Sequence, residues 1–329
     1  MSATFPNPRK LLTAPTVAML PRVGDSLSFL YLENVRVVQD DTGVCARVER
    51  GDGDVDRVYL PVASLACVLL GTGTSVTQPA MATCARHNTT VLWTGAGGVR
   101  MYSAAQSGDL TTRWLERQVH AWADEKTRAA VARRMYELRF DESVPEETTP
   151  AGLRGMEGHR MKTLYRSLAE KYRMRGFKRN YDPENWDRQN PVNQALSAAN
   201  TALYGAVHSA ILALGCSPAL GFVHSGKQHS FVYDIADLYK ANHTVPLAFA
   251  LHRSNNPDRD ARMRLREEFR LYRLMPRVVF DIQRLLEPDS DTVELDDVED
   301  PDEVELVHLW DPDIGPVEAG VNHSDEWEG

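Results

Sequence analysis

A chain of 329 residues, 43% of them hydrophobic, can bury a substantial core, and its length points to two domains. It has no apolar run of about 18 residues, so no membrane span is expected, and its four scattered cysteines (Cys45, Cys67, Cys84, Cys216) form no CxxC pair, which argues against a cysteine zinc site and for a reduced, cytoplasmic protein. The net charge of −9 is unevenly spread: residues 287–329 hold 17 acids and no base, leaving 29 acids against 37 bases in 1–286, a body of about +8 that suits a phosphate backbone.

The N-terminal MSATFPNPRKLLTAP lacks the apolar segment of a secretory signal. From about residue 20 to 104 the chain reads as β. SLSFLYLENVRVVQ is rich in β-branched and aromatic residues, DDTG follows as a turn, and VCARVER, GDGD and RVYLP continue a hairpin pattern. LACVLLG and TTVLWTG are short apolar runs ending in glycine, as buried strands do, with QPAMATCARH between them as a short helix. TGAGGVRMYSA joins two strand-like runs, so its glycines are read as a hairpin turn; a dinucleotide fingerprint needs a helix next.

AAQSGD (104–109) is a small, polar joint and marks a domain boundary. Beyond it Leu115, Val119 and Trp122 fall at i, i+4 and i+7, and AAVARRMYELRF continues with good helix formers. Helices are expected over about 152–175, 191–214, 231–241 and 258–286, separated by Pro- and Gly-bearing turns. The fold class is therefore α+β. An N-terminal β domain (1–105) precedes an all-α catalytic domain (106–287), and an acidic tail (288–329), without helical or strand period over most of its length and interrupted by the apolar island Val304–Trp310, is expected to be largely disordered when free.

GFVHSGK (221–227) matches the glycine and lysine spacing of a phosphate loop, but Gln228 stands where a magnesium-binding Ser or Thr belongs. The segment also follows a helix, whereas a phosphate loop follows a strand of a parallel sheet. Metal chemistry fits better. Asp234 and Asp237 lie three apart at a helix start, so both carboxylates share a face, and the preceding turn carries His224. A histidine with carboxylates suits Mn2+ or Mg2+. The plainer alternative makes Asp234 an N-cap, Asp237 a solvated acid and His224 a turn residue. A third acid bears on the choice: Glu157 lies four before Met161 on the apolar stripe Met161, Leu164, Tyr165, Leu168, Tyr172, and an inward carboxylate is costly unless paired or metal-bound. The opposite face is basic, with Arg160, Lys162, Arg166, Lys171, Arg173, Arg175, Lys178 and Arg179.

RGMEGHR (154–160), YDPENW (181–186), NxxLSAANTxLYG (193–205) and GFVHSGKQHSFVYDIADLYK (221–240) together resemble the CRISPR adaptation integrases, the first-numbered Cas proteins, in their type I-E form. The resemblance covers about residues 20–285. It implies a metal-dependent DNA endonuclease and integrase that joins the 3′-hydroxyls of captured fragments into the CRISPR repeat. Carried over by motif, Glu157, His224 and Asp237 resemble the metal ligands and Asp234 the accessory acid, while Lys227 and Tyr181 fall where similar proteins contact the single-stranded end. Relatives often set an aromatic or a histidine against the duplex end in the stretch that reads Tyr31-Leu32-Glu33-Asn34 here. The implied partners are double-stranded DNA with single-stranded 3′ ends, CRISPR repeat DNA, a second copy of the chain through the β domain, and a small second adaptation protein in a heterohexamer. Without the resemblance, a repair nuclease and a non-catalytic DNA-binding scaffold remain as alternatives.

Overall fold

The computed structural model describes residues 16–19, 29–49, 54–98, 100–106, 112–174, 176–177, 179, 190–271, 274–287, 308–311 and 315–318. Two sheets open the chain. Strands β1 (Thr16–Met19), β2 (Phe29–Glu33), β6 (Cys67–Leu70), β8 (Thr90–Thr94) and β9 (Met101–Ala105) form one, in the order β1-β2-β6-β8-β9. Strands β3 (Arg36–Gln39), β4 (Val44–Glu49), β5 (Val55–Tyr59) and β7 (Ser75–Val76) form the other, in the order β5-β4-β3-β7. The apolar runs at 67–70 and 90–94 are strands as expected, and they pair parallel to each other and to β2. Helix α1 (Gln78–Arg86) makes the crossover that a parallel pair requires.

All five residues of β2 are buried, because the strand is covered on both faces. Leu30 and Leu32 face the second sheet with Val37, Val44 and Val68. Phe29 and Tyr31 face the helices in one core with Leu69, Leu203, Ile211 and Ile282. Tyr31 is only 8% exposed and its hydroxyl accepts from the Gly97 N–H at 2.5 Å, so it presents no surface to the end of a duplex; Glu33 is buried as well.

The helices are α2 (Arg113–Ala123), α3 (Glu125–Phe140), α4 (Pro150–Lys171), α5 (Pro191–Ala213), α6 (Ser230–Tyr239), α7 (Val245–Ala250), α8 (Pro257–Leu271) and α9 (Leu274–Leu286). Both α4 and α5 open on a proline after a capping side chain: Thr149 accepts from the Gly152 N–H and Asn190 from the Asn193 N–H. Alanine-rich α5 is the central post, buried almost throughout and packed by α6, α7, α8, α9 and β9. Leu203 and Ile211 are wholly buried on it, so truncating either to alanine costs about 2–5 kcal/mol. One turn of π-helix, Lys240–Thr244, continues α6, a device frequent at functional sites.

One sequence expectation is corrected at the residue level. The buried face of α2 is Trp114, Gln118 and Ala121, while Val119 and Trp122 are 42% and 37% exposed. The apolar period misled because a polar side chain, Gln118, is the one drawn inward by hydrogen bonds. In the tail, His308–Asp311 and Gly315–Glu318 pair as an antiparallel hairpin, with Leu309 opposite Val317 and Trp310 opposite Pro316. Part of the apolar island is thus a strand, and the rest of it (304–307) lies outside the described residues. No helix among the described residues is long and apolar enough to cross a membrane.

Candidate metal centre

His224 stands on the loop between α5 and α6, where residues 223–229 are all exposed. Such a loop cannot order itself by burial; hydrogen bonds must fix it. Asp234, whose side chain is fully buried on α6, accepts the backbone N–H groups of Phe222 at 2.6 Å, Val223 at 3.0 Å and His224 at 2.9 Å. It also takes the His224 ring: Nδ1 lies 2.7 Å from Asp234 Oδ1. A carboxylate can only accept, so Nδ1 carries the proton and the Nε2 lone pair is left for a ligand. The bond to Asp234 raises the His224 pKa above its ordinary 6.5 against the opposing pull of burial, with Asp237 adding to the rise.

Glu157 and Asp237 face the same place from α4 and α6. One guanidinium bridges them: Arg139 Nη1 is 2.5 Å from Glu157 Oε1 and 3.5 Å from Asp237 Oδ2, and the Arg139 side chain is 7% exposed. Tyr136 OH donates to Glu157 Oε2 at 3.3 Å, and burial first, then Glu157, pushes its phenol up to about 12. Lys240 Nζ lies 2.5 Å from Asp237 Oδ1, yet that buried oxygen has no partner in hydrogen-bond geometry. Burial pulls Lys240 down, but Asp237 and Tyr204 outweigh it, so the ammonium stays charged with a raised pKa.

Tyr136, Arg139, Glu157, His224, Asp234 and Asp237 line one cavity of about 20 Å³, room for about one small sphere. Among the described residues no three histidine, cysteine or carboxylate side chains converge closely enough to hold an ion as they stand. The cations Arg139 and Lys240 lie on the two carboxylates instead. The donor set still fits a divalent ion: an imidazole with its tautomer fixed and two carboxylates lining one small cavity.

Of the expected nucleic-acid contacts, Lys227 is exposed on the loop tip, its backbone closing a turn with Ser230. Arg160 pairs with Glu142 and lies over the Phe140 ring at 4.7 Å on the α4 surface. Arg173 is exposed, at a left-handed φ of 55° just past α4. Arg179 donates to Asn193 Oδ1 at 3.1 Å, tying its segment to α5. Arg175, Lys178 and Tyr181 lie outside the described residues. A second, larger concavity of about 930 Å³ runs along α4, where Met161, Tyr165 and Phe177 alternate with Lys162, Arg166 and Arg173. Size and chemistry part company here, since the donors sit in the small cavity. Sequence reading missed Arg139, Tyr136 and Lys240. The signal for Arg139 was its place four residues after Met135 on the buried face of α3, and for Lys240 its place three after Asp237.

The family model described as CRISPR associated protein Cas1 matches residues 33–144 and 138–271. A "CRISPR-associated endonuclease Cas1" of Clostridium sp. (strain SY8519) is 37% identical over 94% of this chain and all of its own length. One of the same name from Escherichia coli (strain K12) is 41% identical over 70% of this chain and 76% of its own. A crystal structure of a TtCas1–DNA complex superposes with a TM-score of 0.73 at 38% identity, covering 81% of this chain and 99% of that one.

Proposed function

This chain belongs to the Cas1 family of CRISPR associated proteins, and from that premise we propose that it is a metal-dependent DNA endonuclease and integrase of CRISPR adaptation. The observation that carries the reading is the meeting of Glu157, His224 and Asp237 at one cavity, with Asp234 buried behind the imidazole. Glu157, Asp237 and His224 Nε2 would hold Mg2+ or Mn2+, with Asp234 orienting the ring. Once bound, a divalent ion there lowers the pKa of the attacking hydroxyl and neutralises a non-bridging phosphate oxygen.

In the proposed reaction a fragment's 3′-hydroxyl oxygen forms a bond to a repeat phosphorus, the bond to the departing 3′-oxygen breaks, and the nucleophile's proton ends on that oxygen by way of solvent. Bonds are exchanged one for one, so no energy source and no covalent enzyme intermediate is required; water as the nucleophile gives endonuclease cleavage. Arg139 and Lys240 offset charge that gathers on the phosphorane. The groove along α4 offers aromatic faces for unpaired bases and cations for their phosphates, as a single-stranded 3′ end needs. Within the same proposal, residues 106–287 act on DNA in the cytoplasm, residues 1–105 dimerise the chain, and the small second adaptation protein completes a heterohexamer.

Replacing Asp237 tests the reading, because affinity for DNA comes from basic side chains elsewhere while turnover depends on the ion. Asp237→Ala is expected to abolish strand transfer on branched DNA in Mn2+ while binding duplex as wild type does. Wild-type turnover by the variant refutes the ligand set.

A further inference from the structure

The loop bearing His224 is held from two sides, and only one side is Asp234. Asp234 takes its N–H groups; three side chains from α2 and α3 take its carbonyls. Gln118, 0% exposed, donates from Nε2 to Ser217 O at 2.9 Å and Leu220 O at 3.1 Å, and its Oε1 accepts the Ser217 N–H at 2.8 Å. Trp122 Nε1 donates to Gly221 O at 3.1 Å. Arg128 donates to the same carbonyl at 3.2 Å and to Phe222 O at 3.3 Å, with its guanidinium 5.1 Å from the Trp122 ring centre. The carbonyl of Gly221 therefore accepts two charged or aromatic donors at once. Gly221 itself admits no side chain, since a Cβ would stand 2.5 Å from His224 O.

We infer that Gln118, Trp122 and Arg128 are positioning residues that fix the direction of His224 Nε2 by anchoring the carbonyls of 217–222 against Asp234. The inference rests on the metal-site reading for its use and on the hydrogen bonds alone for its geometry. Residues 223–229 are all largely exposed, so apart from the Lys227–Ser230 turn and ring contacts to Tyr233 these hydrogen bonds carry the ordering of the loop base against chain entropy. Groups that hydrogen-bond a ligand directly commonly change metal affinity 10–100-fold, and Gln118, Trp122 and Arg128 act one step further out, through the backbone of 217–222, so the low end of that range is expected. Trp122 and Arg128 face solvent in part, which makes them removable without opening the core.

The test uses the full chain with Trp122→Phe, which keeps the ring and loses the donor, and Arg128→Met, with Gln118→Leu added if it folds. Two readouts are taken. In metal-free protein, ¹⁵N spectra of the imidazoles, assigned through His224→Ala, report the tautomer. At a pH where the imidazole is neutral, wild type is expected to show a single Nδ1–H form, and the variants a mixture. In Mn2+ titrations followed by electron paramagnetic resonance, the variants are expected to bind about tenfold more weakly. Their strand transfer should fall in kcat with KM unchanged and recover at high Mn2+. An unchanged tautomer in both folded variants overturns the inference, and so does a loss confined to duplex affinity, which makes exposed Trp122 a DNA contact. If the tautomer shifts but wild type shows no His224-dependent Mn2+ binding, the positioning stands and the metal reading fails.

Discussion

The two halves of the site are held by different physics. On the imidazole side Gln118, Trp122, Arg128 and Asp234 hold the loop base through directional hydrogen bonds of 2.6–3.3 Å. On the carboxylate side Glu157 and Asp237 are balanced by charge, through a shared guanidinium and an ammonium. Directional bonds fix a geometry, whereas charge pairs can exchange one cation for another. The site thus pairs a preorganised nitrogen with oxygens whose present counter-ions a divalent metal can replace.

The largest expected effect comes from breaking the rigid half. Asp234→Ala leaves three N–H groups and the imidazole without their acceptor and should cost roughly 3–5 kcal/mol of stability. Urea unfolding followed by circular dichroism measures it, and a loss below about 1 kcal/mol places the ordering of the loop elsewhere. Removing the shared cation sharpens the contrast in the other half. Arg139→Met should destabilise the metal-free protein by about 1–3 kcal/mol, less than for a fully buried pair because Glu157 is 26% exposed, and should tighten Mn2+ binding. Weaker Mn2+ binding instead would make Arg139 a partner of the bound ion.

Protons compete with Mn2+ for the imidazole. The His224 pKa is raised above 6.5, so its contribution to metal-free stability is fully present below 6.5 and is lost as pH rises through the raised value. Mn2+ needs the neutral ring; affinity should climb with pH through the same window, by up to about tenfold per unit, and level off above it. A flat profile across that window speaks against a histidine ligand. The smallest effect belongs to Lys227, exposed on the loop tip and part of neither half. Lys227→Ala should leave Mn2+ affinity unchanged, weaken capture of an overhang by about 1 kcal/mol and lower the salt slope by about one. Overhang titrations at several salt concentrations decide this.

The elements that sequence rendered well are those whose period matches their burial. Parallel strands β6 and β8 read as apolar runs because both faces are covered, and α5 as a helix set between Pro- and Gly-bearing turns. The inward place of Glu157 was legible from its spacing to Met161. Helix α2 was misread at the residue level because Gln118, a polar side chain, is the one buried for its bonds. Tyr31 was similarly illegible: an aromatic in a strand looks alike whether it packs inward or braces a ligand, and only the sheet register settles it. Arg139 and the clamp on Gly221 depend on elements about 100 residues apart in sequence meeting in space, which no local pattern encodes.

The central claim is that one divalent ion is bound by a nitrogen of His224 together with Glu157 and Asp237, and electron spin-echo modulation of the Mn2+-loaded full chain tests it most directly. A coupling from a histidine nitrogen is predicted in the wild-type protein, replaced by the ¹⁵N pattern on isotopic labelling and absent from His224→Ala. Mn2+ bound with equal affinity by wild type and His224→Ala, with no nitrogen coupling in either, would contradict the account.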